Sequence, residues 1–331
     1  MRVSKTSPVI AGIALLCAGL LVACGGSTSS GSSSGDAPKA PTKLTLALVP
    51  SGDATKIIDS AKPLTDYLTT KLGIAVTGTV TQDYTAAVEA IGSDQAQIGF
   101  LAVLPMEQAV GRYGAFPALQ VVREGKTTYH TQFFTNDPST FCTDTPSAGT
   151  DGMNYCNGTG KKADGPAALD SLSKVKGSKV AFVEQASSSG YIFPALDLKN
   201  VGIDVTEASD ITPIFTGGHD AAVLSVYNGD ASVGVSYDDA RALVVKDKPD
   251  VGRKVTVFAL SEEIPNDGVV IAKSVPADWQ TKITDALTEY VATPAGKKTL
   301  TDLYEISEFK KADPASLEIV KEAAEKLGLT G

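Results

Sequence analysis

The chain has 331 residues, of which 29 are Lys or Arg and 38 are Asp or Glu, so its formal net charge at pH 7 is −9. An acidic surface argues against nucleic acid as the partner. It also disfavours a broad basic funnel for anions, so an anionic ligand needs donors placed locally around it. The length allows one large domain or two ordinary ones.

The N-terminus has the charge and hydropathy pattern of an export signal. Arg2 and Lys5 precede an apolar stretch at residues 9–23. A membrane-spanning helix needs about 20 apolar residues, and this stretch is shorter and rich in small residues. The stretch ends in Leu-Val-Ala-Cys-Gly, which resembles a bacterial lipobox with Cys24 as the lipid-carrying residue. We therefore predict a lipoprotein signal peptide at residues 1–23 and a protein anchored by lipid on the extracytoplasmic face of the cell membrane. The alternative is an ordinary signal peptide with an incidental Cys.

A polar tether follows the lipid site. Residues 24–42 begin with a run of Gly, Ser, Ala and Thr that cannot bury a core and behaves as a flexible coil. Such a tether lets a folded domain reach neighbouring proteins in the membrane.

The four cysteines divide into three roles. Cys17 leaves with the signal peptide and Cys24 takes the lipid, so Cys142 and Cys156 remain as an even pair in an oxidising compartment. We predict a disulfide that closes the loop between them. A metal site is the alternative, but neither a His nor a further Cys stands nearby in the sequence to complete one.

Strand-like and helix-like patterns alternate in the first half of the folded chain. The periodicity of the apolar residues predicts strands at 44–49, 74–80, 97–101 and 119–122, and helices at 63–72, 84–91 and 105–112. The first of these helices is predicted to begin at Pro63 and to stop before Gly73.

A second block repeats the pattern, with strands at 179–183, 211–215 and 232–236 and helices at 190–199, 219–227 and 238–245. Strands separated by helices of about ten residues indicate parallel sheets that are covered on both faces. Two more strands, at 255–260 and 268–272, and three helices close the chain. The last helix has Asp313 as its N-cap and Pro314 at its first position.

The order of these elements predicts an α/β fold with two lobes. A chain that returns to lobe 1 after building lobe 2 crosses twice, near residues 129–134 and 255–265. Two crossovers form a hinge, and the cleft between the lobes is the natural ligand site. The predicted boundaries are residues 43–130 and 259–331 for lobe 1 and residues 131–258 for lobe 2, with a disulfide-bearing insertion near 137–165.

Three loops follow predicted strands: Ser187-Ser188-Ser189-Gly190, Gly217-Gly218-His219-Asp220 and Pro265-Asn266-Asp267-Gly268. The first two open helices, whose N-termini have free N–H groups and a partial positive charge. Small residues let an oxyanion approach the backbone, and serine hydroxyls add donors. None of the loops contains Arg or Lys, so we predict a neutral cradle for a small tetrahedral oxyanion. Ordinary helix caps are the alternative interpretation of each loop alone.

The loops occur in an order that resembles a known family. Val49-Pro50, Asp83-Tyr84 and Tyr129, followed by the serine loop and the Gly-Gly-His-Asp-Ala-Ala-Val and Ile-Pro-Asn-Asp-Gly segments, resemble the phosphate/phosphite/phosphonate-binding proteins of ABC transporters, the PhnD-like family. The resemblance runs from about residue 44 to about residue 294. It implies a type II periplasmic-binding-protein-like fold, with hinged lobes and a ligand cleft between them.

The resemblance also implies which residues hold the ligand. The oxyanion is expected on Tyr84, Tyr129, Ser187, Ser188, Ser189, His219 and Asp267, with Ser188 standing where the family usually has Thr. Asp267 is expected to accept the proton of a phosphate-like ligand and so to reject sulfate; a turn cap is its alternative role. Near the end of a lobe 2 strand, the candidates for contact with a ligand amine are Tyr237, Asp238 and Asp239.

The implied function is that of a binding protein of an ABC importer, which captures phosphonate, phosphite or phosphate and delivers it to a membrane permease. No cofactor, metal or enzymatic activity is expected. The alternative is a lipid-anchored hydrolase with a Ser/His pair, but no Gly-x-Ser-x-Gly elbow is present. The other histidine, His130, is assigned to packing at the hinge, with ligand contact as its alternative role. The ligand's third substituent stays open, and the loop between Cys142 and Cys156 either shapes the cleft rim or is remote from it.

Overall fold

The computed structural model describes residues 39–160 and 165–329, which form one compact unit. The predicted signal peptide, the lipid site at Cys24 and most of the predicted tether lie outside the described residues and stay predictions. Across the described part of the chain, no helix is both long and apolar enough to cross a membrane.

Strands and helices alternate along the described chain, as predicted. The strands are β1 (Lys43–Leu48), β2 (Ala75–Val80), β3 (Ile98–Leu101), β4 (Phe116–Val122), β5 (Thr128–Tyr129), β6 (Thr131–Thr135), β7 (Ser147–Ala148), β8 (Asn154–Tyr155), β9 (Lys179–Phe182), β10 (Thr212–Phe215), β11 (Val233–Tyr237), β12 (Thr256–Leu260), β13 (Ile264–Pro265), β14 (Gly268–Ile271) and β15 (Glu308–Lys311). The α-helices are α1 (Ala54–Leu72), α2 (Tyr84–Gly92), α3 (Val103–Tyr113), α4 (Pro138–Phe141), α5 (Phe193–Asn200), α6 (His219–Asn228), α7 (Val251–Lys254), α8 (Ala277–Ala292), α9 (Pro294–Tyr304) and α10 (Pro314–Lys326).

The first sheet, as far as the structure describes the chain, has six strands in the order β2-β1-β3-β14-β4-β15. β1 pairs in parallel with β2 and β3, as the alternating pattern predicts. β14 runs antiparallel to both β3 and β4, and β15 runs antiparallel to β4. The expectation of purely parallel sheets is therefore wrong, because β14 enters this sheet directly from the second sheet without a covering helix before it.

The second sheet has seven described strands in the order β10-β9-β11-β6-β12-β8-β7. β9 pairs in parallel with β10 and β11, whereas β6 runs antiparallel to β11 and β12. Buried apolar clusters pack on it, one containing Phe133 and Phe182 and another containing Phe134 and Val257. The first sheet has its own core, which contains Leu46.

Two short segments connect the sheets. Residues 123–130 run from β4 to β6, and residues 261–267 run from β12 to β14. The two segments pair with each other through β5 and β13, with Ile264 opposite Tyr129. The first segment begins earlier than predicted, and the second begins later, because residues 256–260 belong to β12 of the second sheet. A two-stranded ribbon thus joins the sheets, while the residue boundaries of the lobes stay a prediction.

The first helix begins well before the position predicted for it. The side chain of Asp53 caps α1 by accepting a 2.9 Å hydrogen bond from the amide of Lys56. Pro63 lies inside the helix on its exposed side. Because proline has no N–H, one carbonyl of the preceding turn lacks its helical hydrogen bond, and on this side that carbonyl is close to water. The prediction was wrong because it took Pro63 as a first-turn residue, although Ile57 and Ala61 already continue the buried face.

Two predicted helices of the second lobe differ in the structure. The helix predicted at 190–199 is α5 preceded by a π-helical turn, Ser188–Ile192. The prediction of a helix at 238–245 is wrong, because only a short 3₁₀ turn, Ala240–Leu243, forms there. The carboxylate of Asp239 caps this turn by accepting a 3.0 Å hydrogen bond from the amide of Arg241.

The closing region contains a strand that the sequence analysis missed. β15 lies at the edge of the first sheet, and Phe309 is its one buried side chain. Its charged neighbours suit an exposed sheet edge and mask the apolar alternation that would mark a strand. The predicted start of the last helix is confirmed, since Asp313 accepts a 3.0 Å bond from the amide of Ala315 and Pro314 holds the first position. α10 packs against both α3 and α5 and so adds a contact between the lobes.

Cys142 and Cys156 form a disulfide, which confirms the predicted pairing. The bond connects the end of α4 to the end of β8 in the second lobe. Cys156 is buried there in the apolar core, so the bond anchors the segment that it encloses.

Replacing both Cys142 and Cys156 with Ser should lower the free energy of unfolding by about 3 kcal/mol, because opening a loop of about 15 residues raises the entropy of the unfolded chain. Urea unfolding of the oxidised wild type and of the double variant measures the difference. A thiol reductant should reproduce the loss in the wild type and leave the variant unchanged. Equal stabilities of the two oxidised proteins would contradict the prediction.

Candidate ligand-binding site

A cavity of about 740 Å³ lies where loops from the two sheets meet. It is lined by every residue expected to hold the oxyanion: Tyr84, Tyr129, Ser187, Ser188, Ser189, His219 and Asp267. The three candidates for contact with a ligand substituent line it as well: Tyr237, Asp238 and Asp239. The fold therefore brings all of the sequence-predicted residues to one cavity.

The serine loop is fixed by its own hydrogen bonds. The hydroxyl of Ser187 accepts a 3.1 Å bond from the amide of Gly190, and the hydroxyl of Thr131 donates a 3.0 Å bond to the carbonyl of Ser189. Glycine is needed at position 190, because a β-carbon there would lie 2.4 Å from that of Val183. The first amides of a helical turn have no acceptor within the helix, so those of this loop suit an anion.

Two hydrogen bonds connect the predicted loops of the second lobe to the first lobe. The buried hydroxyl of Ser188 accepts a 3.4 Å bond from the amide of Leu104, at the start of α3. The amide of His219 donates a 3.0 Å bond to the carbonyl of Ser51. The same loops that line the cavity therefore also hold its two sides together.

His219 is a neutral hydrogen-bonding group in this cavity. Burial, with the positive charge of Arg123 as a smaller cause, lowers the pKa of His219 to about 3. Its Nδ1 lies 2.7 Å from the hydroxyl of Ser236, and its ring meets that of Tyr237 edge-on with centroids 4.8 Å apart. When Ser236 donates to Nδ1, the proton of the neutral ring is on Nε2, which can then donate to an anion.

Tyr84 and Tyr129 also provide neutral donors. Burial raises the pKa of both phenols, and the nearby charge of Asp267 raises each pKa further. Tyr84 is placed at the start of α2 by Asp83, whose carboxylate accepts a 2.6 Å bond from the amide of Ala86. Both hydroxyls therefore keep their protons at physiological pH.

A cation that the sequence analysis missed lies in the cavity. The guanidinium of Arg123 forms an ion pair with Asp267, with 2.6 Å between Nη2 and Oδ2. The expectation of a purely neutral cradle is wrong here, because Arg123 belongs to the first crossover segment and to none of the three loops. The pairing of β5 with β13 brings the two crossovers, and so these two residues, together. A charged residue directly after the buried strand β4 was the available signal.

The wall near the expected ligand substituent contains another missed residue. The hydroxyl of Tyr237 donates a 3.4 Å bond to a carboxylate oxygen of Glu305, which lines the cavity at the end of α9. Asp238 accepts a hydrogen bond from the side-chain amide of Gln132. Glu305 could not be inferred from the sequence, because it joins this wall only through its hydrogen bond with the distant Tyr237.

The disulfide-bearing segment supports the cleft wall. The fully buried guanidinium of Arg241 pairs with Asp239 at 2.7 Å and donates to the carbonyls of Asn154 and Val255 at 2.8 and 2.7 Å. The hydroxyl of Tyr155 lies 2.9 Å from Asp239. Although burial raises the pKa of Asp239, its bonds to Arg241 hold that pKa below the ordinary value. Asp239 is therefore committed to Arg241, and the segment shapes the cleft and is not remote from it.

His219 predicts an acid-dependent loss of stability. Its pKa of about 3 in the folded protein lies below the ordinary value of 6.5, so the unfolded chain binds a proton that the native protein resists. The contribution is fully present above pH 6.5 and is lost as the pH falls towards 3. At about pH 4.5, the wild type should lose about 2–3 kcal/mol more of its unfolding free energy than His219→Gln does.

Urea unfolding of the wild type and His219→Gln at about pH 7 and about pH 4.5 tests this linkage. A difference in stability between the two proteins that is the same at both pH values would contradict it.

The comparisons with known proteins bear on this cavity. A family model described as "ABC transporter, phosphonate, periplasmic substrate-binding protein" matches residues 46–317. The Phosphate-import protein PhnD of Mycolicibacterium smegmatis is 33% identical to this chain over 99 residues, which make up 27% of this chain and 30% of that protein. The aligned stretch thus spans less than a third of the relative's length.

Two solved structures are similar to the whole described chain. PhnD1 from Prochlorococcus marinus, in complex with methylphosphonate, has a TM-score of 0.72 and 16% identity, covering 87% of this chain and 99% of that chain. A binding protein component of an ABC phosphonate transporter from Pseudomonas aeruginosa has a TM-score of 0.70 and 18% identity, covering 86% of each chain. At such identities the likeness establishes the fold, and the predicted two-lobed, type II periplasmic-binding-protein fold is confirmed.

Proposed function

The chain belongs to the family of periplasmic substrate-binding proteins of phosphonate ABC transporters, and we propose that it captures a small phosphorus oxyanion in the cavity between its lobes. Phosphate, phosphite and small phosphonates form the ligand class, and a membrane permease receives the ligand. The family consists of substrate-binding proteins, so the chain is not an enzyme and the hydrolase alternative has no support.

The convergence of neutral donors on one cavity is the observation that carries this proposal. The N-termini of a π-helical turn and of α6 bring partial positive charge to the cavity. Ser188 and His219 lie at these termini, and Tyr84 adds a hydroxyl from the first lobe. Each buried hydrogen bond to a charged group contributes about 1.5–3 kcal/mol. A tetrahedral oxyanion has several acceptors and can use donors from both lobes at once.

Asp267 supports selection of a phosphorus oxyanion over sulfate. A carboxylate repels an anion that has no proton to share, and it binds one that donates a hydrogen bond to it. Sulfate has lost both of its protons at neutral pH, whereas phosphate keeps at least one. Asp267 lines the cavity, which supports this role.

The substituent of the ligand distinguishes the members of this class. The M. smegmatis relative is named for phosphate import, and the P. marinus structure holds methylphosphonate. These ligands share the oxyanion end, and we assign that end to the same cradle here. Tyr237 and Glu305, on the adjoining wall, are the candidates for contact with the variable substituent.

The protein acts outside the cytoplasm as the binding component of an ABC importer. We propose that Cys24 carries a lipid and that residues 24–42 tether the folded lobes to the membrane, close to the permease. The lipobox-like sequence and the Gly- and Ser-rich composition support this assignment. The disulfide supports it further, because such bonds persist in oxidising compartments.

Removing single donors should weaken binding without unfolding the protein. Ser188→Ala and His219→Ala should each raise the Kd for phosphate and phosphite by about ten- to a hundredfold, because each loses one hydrogen bond to a charged ligand. Asp267→Asn should improve sulfate binding relative to the wild type. Isothermal titration calorimetry with phosphate, phosphite, two phosphonates and sulfate measures all three effects.

The matched control is Ser173→Ala, an exposed serine of the second lobe outside the cavity, which should bind as the wild type does. Wild type and variants that bind the five anions equally, or bind none of them, would refute the proposed site. Loss of ester turnover with retained binding in the Ser188 and His219 variants would instead support a hydrolase.

Replacing Cys24 with Ala should prevent lipid attachment and leave the protein unprocessed or released from the membrane. Metabolic labelling with palmitate, followed by fractionation of the cells, compares this variant with the wild type. Cys142→Ala is the control, because it removes a cysteine that carries no lipid in this account. Label entering the Cys24→Ala protein would show that the lipobox assignment is wrong.

A further inference from the structure

The ion pair between Arg123 and Asp267 combines opposite charges from the two crossover segments at the wall of the cavity. Nη2 of Arg123 lies 2.6 Å from Oδ2 of Asp267, with the two side chains 20% and 29% exposed. Both residues line the ligand cavity. A pair in this place meets any anion that enters.

The guanidinium is held in a fixed orientation. Its Nε donates a 3.0 Å bond to the carbonyl of Tyr304, and its Nη1 donates a 3.4 Å bond to Oδ1 of Asn266. Asn266 is itself fixed, because its amide nitrogen donates to the carbonyls of Val121 and Lys126 at 3.0 and 2.9 Å. The bonds of Arg123 to described residues use one N–H on each nitrogen, so each terminal nitrogen keeps one further N–H.

The two partners keep complementary hydrogen-bonding capacity. The remaining N–H groups of Arg123 are donors for a charged oxygen, and the carboxylate of Asp267 is an acceptor for a protonated one. Together they carry no net charge. A lone carboxylate would repel a doubly charged anion, whereas the neutral pair admits it if it presents one O⁻ and one O–H.

We propose that Arg123 and Asp267 together recognise one charged and one protonated oxygen of the same ligand, so that hydrogen phosphate is the oxyanion this protein takes at neutral and alkaline pH. The proposal rests on the proposed function and narrows its ligand class. It assigns Arg123 as a specificity-determining residue.

The ligands differ in the protons that they can offer. Phosphate has three acidic protons and still carries one as the dianion. Phosphite and methylphosphonate have two, and both lose the second near neutral pH. Sulfate has none left. An Asp267 that requires a ligand proton therefore separates phosphate from the other three most strongly on the alkaline side of neutrality.

The titratable groups around the pair include Tyr84, Tyr129, Tyr237, Tyr304, His219 and Glu305. Lys126, on the segment of Arg123, and Glu263, on the segment of Asp267, also line the cavity. Burial raises the pKa of the four tyrosines and lowers that of His219 to about 3, so these groups stay neutral near pH 7. Burial also raises the pKa of Glu305, which makes this residue the competing source of a pH effect. Glu124, on the segment of Arg123, also lines the cavity.

Isothermal titration of the wild-type mature protein at about pH 6 and about pH 8.5, with phosphate, phosphite, methylphosphonate and sulfate, tests the proposal. The affinity for phosphate should stay the same or rise between about pH 6 and about pH 8.5. Affinities for phosphite and methylphosphonate should fall by about tenfold per pH unit above their last ionisation, because the protonated fraction falls by that factor. The pH dependence of each affinity should persist in Glu305→Gln, whatever that substitution does to the affinities themselves.

Two substitutions separate the partners. Asp267→Asn should abolish the pH-dependent loss of phosphite and methylphosphonate. Arg123→Gln should weaken phosphate binding by about ten- to a hundredfold at about pH 8.5 and by less at about pH 6, because the dianion depends more on the lost charge. Arg123→Lys keeps the charge without the planar fork and should be intermediate. The matched control is Arg112→Gln, which removes a surface arginine paired with Glu89 outside the cavity.

The outcomes divide clearly. A wild type that binds phosphate, phosphite and methylphosphonate with the same pH dependence overturns this inference and leaves the proposed function intact. Arg123→Gln that melts as the wild type does and binds phosphate equally well at about pH 8.5 also overturns it. If that variant does not fold, Arg123→Lys and the wild-type pH series decide. A wild type that binds none of the anions overturns the proposed function itself.

Discussion

The ion pair between Arg123 and Asp267 connects the architecture of the protein to the chemistry of its cavity. It joins the two chain segments that cross between the sheets, beside the short ribbon in which Tyr129 lies opposite Ile264. Its two side chains are partly buried, 20% and 29% exposed, so removing one partner would leave a charge that is only partly hydrated. The pair therefore links the two crossover segments and also places a guanidinium and a carboxylate side by side at the wall of the cavity.

The second lobe supplies the neutral part of the site around this pair. Gly190 lets the serine loop pack against Val183. When Ser236 donates to Nδ1 of His219, the neutral ring keeps its N–H on Nε2. These groups need packing contacts on the side away from the cavity. The disulfide-bearing segment provides them on the neighbouring wall through the buried Arg241 and Asp239. The donors stay in place before the ligand arrives, which reduces the entropy that binding must lose.

Local sequence signals predicted the residues whose role depends on their own loop. Serines before a helix and a Gly-Gly-His turn are readable because a helix N-terminus is a short-range structure, and Ser188 and His219 both line the cavity. Arg123 and Glu305 were not predicted as site residues, because they reach the cavity only through the pairing of distant segments. Asp239 was named as a candidate for contact with a ligand amine because the sequence does not reveal that its partner Arg241 is buried.

The same limit explains the errors in the fold. The alternation of strands and helices predicted both sheets, but strand direction depends on how β14 returns to the first sheet, which no local pattern records. Pro63 was interpreted as a helix start, although a proline is tolerated inside α1 on the side of the helix that faces water. The charged strand β15 takes its conformation from β4, its neighbour in the sheet.

A crystal structure of the mature protein grown with phosphate most directly tests the claim that the Arg123–Asp267 pair contacts the ligand. We predict one phosphate in the cavity, with oxygens within about 3.2 Å of the Ser188 hydroxyl, His219 Nε2, a terminal nitrogen of Arg123 and the carboxylate of Asp267. A phosphate bound elsewhere, or one in the cavity that contacts neither member of the Arg123–Asp267 pair, would contradict it.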